Sequence, residues 1–213
     1  MKLSPFAIII IAALLAVAAW SLASPLPFMT WFLEVAPSMI GGGAVAVAYF
    51  RFGFAFTRLV CVLLAVHAVI LMVGGKYTYA ANPPFEWIKD AFGLARNHYD
   101  RLGHFAQGFV PAVVAREVLL RASPLKPGKW LFFIVASICL AASAFYELVE
   151  WWVAVGTGDD PQTAIDFLGS QGDVWDAQWD MCMCLIGALV AQLTLSRVHD
   201  RAIARRISPD SSR

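Results

Sequence analysis

Charged residues are scarce in this chain, and their scarcity indicates its solvent. Lys, Arg, Asp and Glu make up 15% of the 213 residues, while 60% are hydrophobic and the mean hydropathy is +0.67. A soluble protein of this size needs more charge to cover its surface, so the composition predicts a chain that lies in a lipid bilayer. The formal net charge of +1 gives no sign of a nucleic-acid partner.

Several catalytic motifs are also missing. The sequence contains no glycine-rich phosphate loop, no GxSxG motif and no HExxH motif. Its cysteines all lie in apolar runs and form no CxxC pair, so we interpret them as reduced core residues. They are Cys61, Cys139, Cys182 and Cys184.

The sequence does contain several long apolar runs. At ~1.5 Å per residue, about 20 residues cross a ~30 Å hydrocarbon core. Six segments are close to this length: Pro5–Ala23, Thr30–Phe50, Phe56–Gly75, Tyr99–Leu120, Trp130–Val153 and Trp175–Ser196. The fourth is the weakest because its uncharged stretch is short and Pro111 interrupts it. The first exceeds a typical signal-peptide core, which favours a retained helix.

These segments predict an all-α membrane bundle of about six transmembrane helices in residues 1–200, followed by a basic cytoplasmic tail at 201–213. With both termini cytoplasmic, only four of the 16 basic residues fall outside, as the positive-inside rule requires. In the outer segment 76–98, apolar residues recur at helical spacing from Phe85 to Leu94. This pattern predicts a short interfacial helix anchored by Trp87. Residues 156–178 are rich in Gly, Asp and Gln and are interpreted as an ordered outer loop.

Ionisable residues concentrate at the predicted outer ends of the last three spans. Each span carries a pair or triplet at helical spacing: Asp100 and His104; Glu147 and Glu150; and Asp173, Asp176 and Asp180. Carboxylates near hydrocarbon need compensation. Three compensations are consistent with the sequence. Cations can neutralise them (Arg96, His98, Arg101 or His104), some can be protonated, or a divalent metal can lie among them.

The metal hypothesis assigns a role to each of these residues. The predicted ligands of zinc, manganese or iron are Asp100, His104, Glu147 and Asp180. Glu150 or Asp176 would act as general base on a metal-bound water, whose pKa a metal lowers to about 7. His98 or Arg101 would hold an anionic head group of a lipid or lipid-linked substrate.

Other polar residues at the membrane ends fit simpler roles. Asp173 and the pair 159–160 are interpreted as an interfacial cap, and His67 as a satisfied core histidine. We expect Glu34 to reach the outer interface and His199 to be a cytoplasmic residue without a special role. The paired tryptophans are typical of an interfacial belt, with a pocket wall for an acyl or sugar group as the alternative: Trp151, Trp152, Trp175 and Trp179.

Four stretches carry a resemblance to a known family. They are "KYTYAANPPF", "NHYDRLGHFAQGFVPA", "AFYELVEWW" and "GSQGDVWDAQWDM". They closely resemble the YjdF-like family of bacterial inner-membrane proteins, and the resemblance covers nearly the whole chain. It implies a fold and a compartment, the bacterial inner membrane, rather than a reaction.

A more distant resemblance involves the ends of spans four to six. They look like the VanZ-like group, which is associated with glycopeptide resistance and the cell envelope. Its motifs would fall on Asp100, Arg101, His104 and Phe105; on Glu147 and Glu150; and on Asp180, Cys184 and Gly187. Arg101, Glu150 and Cys184 stand where that group has Lys, Gln and Asn.

Three functions follow as hypotheses. The first is a metal-dependent hydrolase or transferase that acts on a lipid or envelope-linked substrate at the outer leaflet. The second is a cation- or proton-coupled transport protein, which predicts ionisable residues continuing inward. Few exist, because span six is uncharged from Asp180 to Arg197 and span five from Trp130 to Tyr146. The third is an envelope scaffold whose polar cluster locks three helices together. The sequence leaves the oligomeric state undetermined.

Overall fold

A computed structural model describes residues 3–23, 28–156 and 170–207. Within these ranges the chain forms seven helices and no strand, which confirms the predicted helix bundle. The helices are α1 (Pro5–Leu22), α2 (Phe28–Phe52), α3 (Arg58–Tyr77), α4 (Pro83–Phe92), α5 (Tyr99–Ala122), α6 (Lys129–Gly156) and α7 (Asp176–Ile207).

Five of these helices are long and apolar enough to cross a membrane, namely α1, α2, α3, α6 and α7. The remaining predicted span, α5, is long enough at 24 residues but is more polar. Half of its residues are buried, whereas α1 buries only Ser21. Since α5 packs against α3, α6 and α7, its polar side chains are shielded from lipid by other helices. A helix too polar to be a candidate span by composition therefore lies at the centre of the bundle.

Local sequence explains where the helices begin and end. The hydroxyl of Ser4 accepts a hydrogen bond from the backbone N–H of Ala7 (3.2 Å), and Pro5 begins α1. Helix α4 begins at Pro83, since proline suits the first helical turn, and Gly93 follows its end at φ 61°. The helix predicted in this segment is therefore present, but it lies two residues earlier than expected, and its interfacial position stays a prediction.

Helices α5 and α7 touch backbone to backbone. A Cβ on Gly108 would lie 1.7 Å from the carbonyl oxygen of Cys184, and one on Gly187 would lie 2.1 Å from that of Phe105. Only glycine permits this approach. The main apolar core surrounds the crossing and is formed by Val60, Ala112, Val113, Leu131, Val135, Cys139, Cys184, Ala188 and Ala191.

Two expectations need adjustment. All four cysteines are free, as predicted, but Cys182 is exposed on the outside of the bundle while Cys139 and Cys184 are buried. The last helix does not end near residue 196. It continues to Ile207, with His199 and Ile203 buried, because this end of α7 still packs on its neighbours. Residues 201–207 thus extend the bundle rather than begin a separate tail.

Candidate functional site

The predicted ionisable residues of α5, α6 and α7 come together at one end of the bundle. We call this group the acidic site. Its members are Arg96, Asp100, Arg101, His104, Glu147, Glu150, Asp173, Asp176 and Asp180. All except Glu147 and Asp173 are less than 10% exposed. Helical spacing places each pair on one face, and the close α5–α7 crossing brings those faces together.

His104 lies at the centre of the acidic site. Its Nε2 is 3.4 Å from Asp100 Oδ1 and 3.8 Å from Asp180 Oδ1. One ligand atom from each of these three residues lies within 4.8 Å of the others, so they could hold a metal ion. On the opposite side of the ring, His104 Nδ1 is 3.9 Å from Glu147 Oε1. Neither of these two atoms has a hydrogen-bond partner among the described residues.

Two arginines neutralise part of the carboxylate charge. Arg101 donates to Asp176 (2.8 Å) and Asp173 (3.2 Å) and also pairs with Asp180. Arg96 donates to Asp176 at 2.6 Å and to Asp100 at 3.3 Å. The guanidinium of Arg101 is thus committed to carboxylates, and in this geometry it is not presented to a substrate head group.

His98 immediately precedes α5 and is only partly buried. Partial burial and the positive charges of Arg96 and Arg101 hold its pKa below the ordinary value. The imidazole is therefore neutral at neutral pH, so it offers hydrogen bonds rather than a charge to an anionic group.

A cavity of about 70 Å³ adjoins the acidic site. Its lining includes Asp100, His104 and Glu150, together with residues that the sequence analysis placed elsewhere or did not weigh: Glu34, His67, Tyr79, Gln107 and Tyr146. At ~30 Å³ of liquid volume per molecule, a cavity of this size holds about two waters.

Two residues of the cavity correct the sequence interpretation. Glu34 does not reach an interface, because α2 packs against α3 and leaves Glu34 only 5% exposed. His67 is not a satisfied core histidine, because its buried Nε2 has no hydrogen-bond partner within the described parts of the chain. The signal available in the sequence was the pair of glycines, Gly74 and Gly75, near the end of α3, because glycine permits close approach of other side chains. A Cβ on Gly75 would lie 3.5 Å from the Glu34 side chain, and one on Gly74 would clash with the ring of Tyr79.

Asn97 and Gln171 form hydrogen bonds beside the start of α5. Neither residue was predicted from the sequence to have a role. The side chain of Gln171 accepts from the backbone N–H of Asn97 (2.9 Å) and donates to its carbonyl oxygen (3.0 Å). The Asn97 amide donates to Glu86 Oε1 at 2.9 Å. These bonds fix α4 and residue 171 beside the start of α5, and so they position Asp100 and Arg101.

A second polar group lies at the other end of the same helices. We call it the buried ionic cluster, formed by Thr57, Arg116, Glu117, Arg121 and His199. Glu117 accepts from the Thr57 hydroxyl (2.7 Å), Arg121 (2.6 Å) and His199 Nε2 (3.0 Å). Arg116 Nη1 lies 3.2 Å from His199 Nδ1. Since an arginine can only donate, the ring proton of a neutral His199 is on Nε2 and points to Glu117.

The geometry of the buried ionic cluster also corrects the sequence interpretation of His199. We expected His199 to be unremarkable, but its side chain is fully buried and bonded on both ring nitrogens. The sequence signal was an adjacent Arg116–Glu117 pair in the last turns of a membrane helix. The partner lies more than 80 residues away, so its identity required the fold.

The tryptophans of this end face outward. Trp151, Trp152, Trp175 and Trp179 are each more than half exposed, and none lines the cavity, which favours the interfacial belt. Asp159 and Asp160, and most of the predicted outer loop, lie outside the described residues.

These features define a class of protein, a membrane-spanning helix bundle with a buried ionisable site at one end. A family model described as "Predicted membrane protein (DUF2238)" matches residues 6–201, so the chain belongs to that family. It is also 46% identical over 177 residues to "Inner membrane protein YjdF" of Escherichia coli (strain K12), across 83% of this chain and 82% of that protein. No solved structure matches. The YjdF-like resemblance is confirmed, and the VanZ-like one stays a prediction.

Proposed function

We propose that the acidic site binds one divalent metal ion and uses it to hydrolyse or transfer a group of a lipid or lipid-linked substrate. The observation that carries the proposal is the geometry of His104. Its Nε2 faces Asp100 and Asp180, and its Nδ1 faces Glu147 across 3.9 Å without a hydrogen bond.

Charge balance supports a bound cation. The site gathers six carboxylates, from Asp100, Glu147, Glu150, Asp173, Asp176 and Asp180, around two guanidinium groups. A protonated His104 still leaves an excess of negative charge. Buried charge without compensation is costly near hydrocarbon. With the neutral His104 that metal binding requires, the excess is four charges, and a divalent cation would remove half of it.

The two sides of the His104 ring suggest a division of roles. A metal held by Nε2, Asp100 and Asp180 has three protein ligands and an open position, as in catalytic zinc sites. Metal-binding histidines commonly donate their other ring N–H to a carboxylate, which fixes the ring orientation. Glu147 is placed for that role. We therefore propose three of the four predicted ligands as ligands and Glu147 as the orienting carboxylate.

The adjacent cavity suggests the general base. Glu150 lines it together with Asp100 and His104, so a water in the cavity would lie between the metal ligands and this carboxylate. Asp176 instead accepts from both arginines, which fits a charge-balancing role. Of the two predicted bases, Glu150 is the one that we propose.

Compartment and orientation belong to the same proposal. The name of the relative and the apolar helices support an inner-membrane location. The distribution of Lys and Arg supports cytoplasmic termini, with the acidic site at the outer face. The exposed tryptophans around that end would place the lipid head groups level with the site, where a lipid-linked substrate reaches it.

A second candidate is favoured by a separate observation. Arg96 and Arg101 already bridge α5 to the start of α7 through several carboxylates. A network of this kind, with some carboxylates protonated, would lock the helices of a scaffold protein without any metal.

Metal content separates the two candidates. The protein is purified in detergent without chelators, resupplied with zinc, manganese or iron, desalted, and measured by elemental mass spectrometry. We expect near-stoichiometric metal in the wild type, loss in His104→Ala and Asp180→Asn, and retention in Asp90→Asn, which removes an exposed carboxylate of α4 outside the site. Size-exclusion profiles and helical content control for folding. A metal-free wild type would contradict the proposal and favour the scaffold.

A further inference from the structure

A second cavity lies at the opposite end of the bundle from the acidic site. It has a volume of about 400 Å³ and opens between the end of α5, the start of α6 and the last turns of α7. Cavities of about 300–1,000 Å³ hold small ligands or head groups. Its walls combine an apolar floor, from Leu131 and Phe132, with three charged side chains: Arg116, Lys129 and Asp200.

We propose that this cavity binds the head group of an aminophospholipid. Lys129, Arg116 and the first turn of α6 would hold the phosphate, and Asp200 would hold the ammonium group. The proposal is independent of the metal chemistry proposed for the acidic site.

The cationic half of the cavity is suited to a phosphate. Arg116 is 4% exposed, so its guanidinium is fixed and partly dehydrated, which strengthens its attraction for an anion. Lys129 begins α6, a helix of 28 residues with no acidic residue in its first turn. The N–H groups of that turn and the helix dipole add to the attraction. Basic pockets between membrane helices are typical binding sites for lipid head groups.

Asp200 decides which head group fits. Its carboxylate accepts from Arg116 Nη2 at 2.7 Å, and its side chain is 43% exposed. The exposed part faces the same cavity. A purely anionic head group would meet repulsion here, whereas an ammonium group would find a partner. Two cations and one carboxylate thus match a head group that carries both a phosphate and an amine.

The surroundings favour a lipid over free phosphate. Trp130 and Phe133, which flank the cavity residues on α6, are 74% and 61% exposed. Large apolar side chains at a membrane helix end lie against lipid, and tryptophan prefers the head-group level. Acyl chains could therefore follow α6 while the head group enters the cavity.

Native mass spectrometry of the protein released from nanodiscs tests the proposal. The nanodiscs contain equal amounts of ethanolamine and glycerol phospholipids. We expect the wild type to retain the ethanolamine lipid preferentially. Lys129→Gln should lower retention roughly five-fold, the effect of one basic residue near a membrane surface. Lys126→Gln is the matched control, because it removes an exposed lysine of the same loop that does not line the cavity.

Asp200→Asn provides the sharper test. It should reverse the preference towards the glycerol lipid, because it removes the partner of the amine and leaves Arg116 uncompensated. Equal retention of both lipids by the wild type, or equal effects of Lys129→Gln and Lys126→Gln, would overturn the proposal. Displacement of the lipid by excess inorganic phosphate would also overturn it, since the ligand would then be a free anion.

Discussion

The acidic site and the buried ionic cluster occupy opposite ends of the same two helices, yet they are built differently. In the buried ionic cluster, every buried side-chain nitrogen and oxygen of its five residues has a hydrogen-bond partner. In the acidic site, His104 Nδ1 and Glu147 Oε1 have none among the residues that the structure describes. Both ends bury charged side chains, but only the buried ionic cluster provides hydrogen-bond partners for all its buried polar atoms within the described chain.

The difference separates a structural network from a binding site. A satisfied buried network fixes helix positions, and here the hydrogen bonds to Glu117 leave no carboxylate oxygen open for a cation. A site that binds a cation must leave lone pairs open before the cation arrives, at a cost in stability. The buried ionic cluster fits the first description, and the acidic site fits the second.

Removing the centre of the buried ionic cluster should have the largest effect. Glu117→Ala leaves Arg121, His199 and the Thr57 hydroxyl without their shared acceptor. We expect a loss of about 3–5 kcal/mol in the free energy of unfolding, as for other broken buried ion pairs. Denaturant titration in detergent measures it. A loss below about 1 kcal/mol would mean that this end is not a structural network.

The helix crossing between the two regions should show the next largest effect. Gly108→Ala places a methyl group against the Cys184 carbonyl, and overpacking of this kind costs about 1–3 kcal/mol. Gly42→Ala is the control, because nothing lies within 4 Å of its Cβ position in α2. There alanine should stabilise the helix by roughly 0.5–1 kcal/mol. If Gly108→Ala and Gly42→Ala changed the free energy of unfolding in the same direction, the close backbone contact between α5 and α7 would be contradicted.

Truncation of the orienting carboxylate should act on metal binding more than on stability. Glu147→Ala removes a carboxylate oxygen that has no hydrogen bond. We expect metal affinity to fall about 10- to 100-fold while the unfolding midpoint changes little. Competition with a fluorescent metal chelator gives the affinity, with Asp90→Asn, which removes an exposed carboxylate of α4, as the control. A large loss of stability with unchanged affinity would assign Glu147 to the scaffold.

The smallest effect should come from the exposed edge of the buried ionic cluster. Asp200→Asn removes a partner of Arg116 whose side chain is 43% exposed. Partly exposed pairs contribute about 0–1 kcal/mol, far less than Glu117. Thermal unfolding of Asp200→Asn and Glu117→Ala, measured under the same conditions, shows which variant loses more stability. Equal effects would place Asp200 in the core of the network.

The helix bundle and most of the residues that meet in the acidic site could be predicted from the sequence, because helical spacing and apolar length are local properties. Asp100, His104 and Asp180 could be grouped because their helical stripes were predicted at the same end of the fourth and sixth spans. Glu34 and His67 could not be assigned to the cavity, because their side of the helix depends on how α2 and α3 pack. His199 was missed for the same reason, since its partners Arg116 and Glu117 lie on α5.

The glycine crossing also has an electrical consequence. From Asp180 to His199 along α7 is 19 residues, or ~28 Å at the helical rise, and between them the backbones of α5 and α7 meet inside an apolar core. Between Asp180 and Arg197 no residue of α7 carries a formal charge, so an apolar layer separates the ionisable groups of the two ends. We expect this layer to act as an electrical insulator between the two charged ends of the bundle.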